Sequence, residues 1–224
     1  MQGTKDENIG NPSHSSCLSC LSYPRKERKP EPMHCGLVKI GVMGSAGGEM
    51  DPAIIEKCIE LGRTIAEEGC AILTGGCPGL PHYAILGCKE KGGITIGVSP
   101  ALSIQEHVKR YKSPTDNIDV MVYTGAGLMG REIVGVRSCD IVIIVGGRSG
   151  TLGEFAIAYD EGRMIGVLTG TGGIADHIDD FLHVIQKPTG SRIFFDADPR
   201  SLIKRCVASF RENPPVIGER EAAG

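Results

Sequence analysis

The segment from Ile143 to Gly162, IIVGGRSGTLGEFAIAYDEG, brings together residue types suited to hold an anion and act on what is attached to it. Gly146, Gly147 and Gly150 let backbone N–H groups converge without Cβ clashes. Ser149 and Thr151 add hydroxyl donors, and Arg148 adds a cation. A helix starting directly after them would turn its positive end to the same point. This is the composition of a phosphate cradle. It is also that of a tight strand-to-helix turn with a threonine cap. Glu154 is expected in the first helical turn, where the macrodipole alone favours an acid by about 0.3–1 kcal/mol. Beside a phosphate, the same carboxylate could instead take ribose hydroxyls or a water as donors. Arg131, in GLMGRE, is expected at the start of the preceding helix, the end at which the dipole disfavours a cation. It is either solvated, paired with Glu132 or Glu154, or turned toward a ligand.

Other glycine turns are expected at the same edge. GSAGGE supplies Gly44 and Ser45, and TGGCPGLP supplies Gly75 and Gly76, with Cys77 beside them. None fits the familiar nucleotide fingerprints. The first turn lacks the G-x-G-x-x-G spacing and the second strand ends without a ribose-binding acid. No glycine loop ends in Lys followed by Ser or Thr, as a P-loop requires. His107, Lys109 and Arg110 lie in a long connection read as a surface segment. Asp176 and His177 follow a Thr/Gly loop that reads as a turn with a cap.

The elements that must position these residues follow from a repeated pattern. From Val38 onward, short apolar runs (VKIGVMG, CAILTGG, ITIGVSP, IDVMVYTG, DIVIIVGG, RMIGVLTG) alternate with helical periods and glycine turns. Continuous apolar strands separated by helices predict a parallel sheet covered on both faces. The expected class is α/β, a Rossmann-like doubly wound parallel sheet with helices on both faces. Ligands of such sheets bind beyond the carboxyl ends of the strands, where the strand order reverses. SRIFFDA is expected as a last strand.

The chain has 224 residues, 41% of them hydrophobic and only 4% aromatic, so the core must be aliphatic. Its net charge of −3 offers no general attraction to nucleic acid or to an anionic membrane. No apolar run reaches bilayer length. There are nine cysteines, and most lie in apolar segments, which fits free thiols and a cytoplasmic setting. Residues 1–36 are polar, Pro- and Ser-rich and aperiodic, and are expected to be disordered or weakly ordered. Within them Cys17, Cys20, His34 and Cys35 form a weak zinc candidate of non-standard spacing. Residues 37–214 form the expected nucleotide-binding domain, followed by a C-terminal tail, 215–224.

Taken jointly, these motifs resemble the Lonely Guy (LOG) family and its neighbours, the molybdenum-cofactor carrier proteins and the proteins once labelled lysine decarboxylases. The family pattern runs R-x8-D, an apolar strand, then P-G-G-x-G-T-x-x-E. Here Arg131 stands nine positions before Asp140, followed by IVIIV and GGRSGTLGE. GVMGSAGG resembles the family's V-x-x-G-S-x-x-G, and LTGGCPGLP its Y-G-G-G-x-x-G-L. Val145 replaces the proline, one residue is added between Gly147 and Gly150, and Met129 and Glu132 stand where the family has histidine and lysine. These departures resemble the DprA/Smf-related uncharacterised members.

The resemblance implies a catalytic pair, Arg131 and Glu154. It implies hydrolysis of the N-glycosidic bond of a nucleoside 5′-monophosphate to free base and ribose 5-phosphate, with no cofactor required. The alternative it implies is a non-catalytic protein that binds or carries a nucleotide or pterin. The implied phosphate and nucleotide contacts are Gly44, Ser45, Gly75, Gly76, Gly146, Gly147, Arg148, Ser149, Gly150 and Thr151. It also implies a homodimer or higher homo-oligomer, a phosphorylated small molecule as partner, and neither nucleic acid nor membrane.

Overall fold

The computed structural model describes residues 36–215. The zinc candidate and the N-terminal extension up to residue 35 lie outside the described residues, as does the tail from 216.

Seven strands form one parallel sheet: β1 (Lys39–Gly44), β2 (Ala71–Thr74), β3 (Thr95–Ser99), β4 (Val120–Tyr123), β5 (Ile141–Val145), β6 (Met164–Leu168) and β7 (Arg192–Asp196). Their order is β4-β3-β2-β1-β5-β6-β7. The chain winds outward from β1 to one edge, returns to the centre at β5, and winds outward to the other edge. This is the doubly wound α/β fold, and its switch point lies between β1 and β5. There two neighbouring crossovers leave the sheet on opposite faces and open a crevice.

The helices are α1 (Pro52–Glu67), α2 (Leu80–Glu90), α3 (Ile104–Lys109), α4 (Gly127–Arg137), α5 (Ser149–Asp160), α6 (Ile178–Ile185) and α7 (Pro199–Glu212). β5, IVIIV, is buried at every position because both faces of the sheet are covered. Its period of two splits it between two cores. Ile141, Ile143 and Val145 join Leu61, Ile65, Ile85, Leu202 and Phe210 under α1, α2 and α7. Val142 and Ile144 join Val136, Phe155, Ala158 and Ile178 under α4, α5 and α6. The α1 start was legible locally: the Asp51 carboxylate accepts the Ala53 N–H at 2.8 Å, and Pro52 occupies the first turn. No described helix is long and apolar enough to cross a membrane.

Two local expectations, on the connection before β4 and on His107, need correction, while the capped turn after β6 is as expected. The connection before β4 contains α3, started by the Ser103 hydroxyl accepting the Glu106 N–H. His107 on that helix is fully buried, its Nδ1 2.8 Å from Ser99 Oγ and its Nε2 2.9 Å from the Pro114 carbonyl. It braces a loop and is not a surface group. The segment after β6 begins as a 3₁₀ turn, Gly173–His177, where the Asp176 carboxylate accepts the Gly170 and Gly172 N–H groups.

Candidate functional site

A cavity of about 370 Å³ opens at the switch point. Its walls come from the end of β1 and the following turn (Met43, Gly44, Ser45, Ala46), the end of β2 (Gly75, Cys77), α4 (Leu128, Arg131, Glu132) and the start of α5 (Arg148 to Thr151, and Glu154). Each arrives at the carboxyl edge of the sheet, because every crossover in a parallel sheet starts there.

α5 begins at Ser149 without a side-chain cap, after an extended Arg148. The first N–H groups of any helix lack intrahelical acceptors, and the dipole is positive there. The amides of Ser149, Gly150 and Thr151 therefore form the donor surface of the cavity.

Gly146 and Gly147 have a different task. The Gly146 N–H donates to Thr171 Oγ1 at 2.9 Å and the Gly147 N–H to Ser45 Oγ at 2.8 Å. Their carbonyls accept from Ala175 and Ile174, each at 3.0 Å. Both residues have positive φ, the region glycine alone enters at no steric cost. The pair anchors the turn to the loops after β1 and β6, and leaves no amide of its own for a ligand. Neither residue lines the cavity, nor does Gly76, whose position faces His107 and Met121.

Arg131 and Glu154 both border the cavity, from neighbouring helices. Each lies in the second turn of its helix, not the first, so the macrodipole does not account for either. Their residues are only 9% and 7% exposed. Gly75 makes room for Arg131: a Cβ there would overlap the guanidinium Nη1. Arg131 Nε is buried without a hydrogen-bond partner among the described residues. The guanidinium also stands beside Cys77, whose thiol is pushed up by burial against the pull of Arg131. Burial raises the Glu154 carboxyl to about 7; Arg131 opposes this and Glu132 adds to it.

Glu132 carries a further charge to the site; the sequence offered it only as a candidate ion-pair partner of Arg131 and as a departure from a motif. It is 7% exposed and its carboxyl is raised by burial, with Arg131 opposing. Its oxygens stand 3.2 Å from where Cβ atoms on Gly150 and Gly153 would lie. Neither Glu132 nor Glu154 has a hydrogen-bond or ion-pair partner among the described residues. The signal in the sequence was the pair of glycines three apart on α5, which lets α4 approach closely.

Of the sequence-derived site residues, the structure gathers Gly44, Ser45, Gly75, Arg131, Arg148, Ser149, Gly150, Thr151 and Glu154 at one cavity. Gly76, Gly146 and Gly147 stand behind its wall. Lys109 and Arg110 do not line it, and Arg110 pairs with Glu106 at 2.6 Å.

Known proteins share this architecture. An uncharacterised protein of Archaeoglobus fulgidus is 33% identical over 132 residues, 59% of this chain and 80% of that protein. The crystal structure of TM1055 covers 77% of this chain and 99% of its own, with 27% identity and a TM-score of 0.67. The molybdenum cofactor carrier protein of Chlamydomonas reinhardtii covers 76% and 99%, with 30% identity and a TM-score of 0.61. Residues 37–203 match the SLOG cluster4 family along most of the chain, and the protein belongs to that family.

Proposed function

We propose that the switch-point cavity binds a phosphorylated nucleoside-like molecule and hydrolyses its N-glycosidic bond. The observation that carries this reading is the pairing of Arg131 and Glu154: two buried charged side chains, from different helices, bordering one cavity beside an uncapped helix start. The phosphoryl group rests on the amides of Ser149, Gly150 and Thr151, with Arg148 at the rim. The sugar then lies toward Glu154. A carboxyl group with a pKa of about 7 holds and releases a proton near neutral pH. It takes a proton from the water that attacks C1′ as the C1′–N bond breaks. The departing base leaves with the bond's electron pair and is protonated by solvent, and Glu154 returns the proton it took to solvent. Arg131 supplies positive charge toward the phosphoryl group or the leaving base. The products are the free base and ribose 5-phosphate.

A second reading is favoured by one observation: Glu132 adds a carboxylate that the hydrolytic step does not require. The carrier protein of Chlamydomonas reinhardtii, 30% identical, is described as carrying the molybdenum cofactor. A phosphorylated pterin held in the same cradle, with no bond broken, would use Glu132 and Glu154 as acceptors for ligand N–H and O–H groups.

Incubation with a panel of nucleoside 5′-monophosphates separates the readings. Hydrolysis predicts ribose 5-phosphate release from at least one of them, and a Glu154→Gln variant that binds it and releases nothing. Binding of a pterin phosphate, with no release from any nucleotide, supports the carrier reading instead.

A further inference from the structure

Glu132 is the charged group in the cavity to which neither the phosphate cradle nor the hydrolytic step gives a role. Its seat is built. Glycines at 150 and 153 present a bare strip of α5, and the carboxylate lies against that strip with both oxygens 3.2 Å from the two Cβ positions. It borders the cavity, its residue is 7% exposed, and it has no hydrogen-bond or ion-pair partner among the described residues, with Arg131 as the neighbouring positive charge. A carboxylate at a cavity wall with no hydrogen bond from the protein keeps its acceptor capacity for a ligand.

Its charge also orients the ligand. A dianionic phosphoryl group is repelled by a carboxylate that already has Glu154 as a neighbour. The phosphoryl end is directed to the Ser149 end of the amide cradle, beside Ser45 and Arg148, and the organic body to the wall that carries Glu132.

We propose that Glu132 is a specificity-determining residue that selects ligands with a 2-amino-4-oxo pyrimidine edge, the edge shared by guanine and pterin. This rests on the cavity binding a phosphorylated nucleotide- or pterin-like molecule, and it holds with or without turnover. An ionised carboxylate offers acceptors only. The edge in question presents a ring N–H and an exocyclic amino group side by side, a two-pronged donor that a single carboxylate accepts in parallel, as it accepts a guanidinium. Adenine and cytosine set a donor next to an acceptor there. Hypoxanthine keeps the ring N–H and lacks the amino group. Lumazine, the 2-oxo counterpart of pterin, points a carbonyl at the carboxylate.

Calorimetric titration of the full chain with GMP, IMP, AMP and ribose 5-phosphate tests this, with pterin and lumazine as competitors. The expected result is GMP binding about tenfold to a hundredfold tighter than IMP, the range of one hydrogen bond to a charged group, and IMP tighter than AMP. Glu132→Gln should bring the GMP/IMP ratio to within about threefold while IMP still binds. Pterin should compete better than lumazine, and its strength relative to GMP says which source of the edge the site prefers. Equal binding of GMP and IMP by the wild-type chain would overturn the inference without any variant. So would a GMP/IMP ratio that survives Glu132→Gln. Ribose 5-phosphate binding with no preference among bases sinks this inference alone. Failure of every phosphorylated probe to bind sinks the reading of the cavity with it.

Discussion

The two helical layers of this protein both carry exposed ion pairs, but only one of them draws unpaired charges inward. On the α1–α2–α7 side, charges lie outside the sheet and are paired. Arg63 reaches Glu56 at 2.7 Å and Glu90 at 2.6 Å, Lys91 reaches Glu67 at 2.9 Å, and Arg200 pairs with both Glu60 and Glu67. On the α4–α5 side, Arg131, Glu132 and Glu154 are pulled into the protein and no ion pair joins them among the described residues. Exposed pairs hold helices together weakly and ask for nothing else. Buried unpaired charges oppose folding, and a fold that keeps them holds binding capacity in reserve.

The largest expected break in this contrast is at Glu154. Its folded pKa of about 7 lies above the usual 4.5, so the folded state keeps a proton that the unfolded chain releases as pH rises from about 4.5 to 7. Wild-type stability therefore falls across that window, and above it the carboxylate costs on the order of 3 kcal/mol. Glu154→Gln should melt higher than wild type at pH 8, with the gain vanishing near pH 4. The same variant should lose nucleotide hydrolysis by about 10²–10⁴-fold. Paired denaturation and turnover measurements check both; a variant less stable at pH 8 would remove Glu154 from the reserved group.

Next is Gly75→Ala. The added methyl overlaps Arg131 Nη1, so the guanidinium must leave its seat. A stability cost of about 1–3 kcal/mol is expected, together with at least about tenfold weaker binding of a nucleoside monophosphate. Unchanged affinity would show that Arg131 takes no part in holding the ligand.

Thr171→Ala tests the anchoring of the turn. It leaves the buried Gly146 N–H without its 2.9 Å acceptor, and an unfolding free energy lower by about 1–3 kcal/mol is expected from denaturant titration. The smallest effect belongs to the paired side. Arg200→Ala should shift stability by less than about 1 kcal/mol, less still in high salt, and leave ligand binding as it was. A larger loss would mean that the α1–α7 pairs act as a cooperative network.

Much of the fold was legible because its signals are local. The apolar runs, the Asp51–Pro52 helix start and the glycine turns each act within a few residues, and they led to seven strands in parallel and a ligand edge at the switch point. Arg131 and Glu154 were legible as a pair through the resemblance of their motifs to the Lonely Guy family. Their environments were not, since both were assigned to first helical turns and lie in second ones.

What the sequence determined by itself was the alternation of elements, and with it the edge of the sheet that must carry the site. Only the tertiary structure decided which groups of that edge are spent and which are available. Ser45 and Gly147 are 102 positions apart, yet their hydrogen bond takes up an amide that was among the implied phosphate contacts. Gly146 is satisfied by Thr171, 25 positions away. His107, expected at the surface, was drawn inward by Ser99 and Pro114. Glu132 became part of the cavity because two glycines of another helix admit its carboxylate. Hydrogen-bond satisfaction and close packing depend on partners that meet only when the sheet closes, and no local period or spacing encodes those meetings.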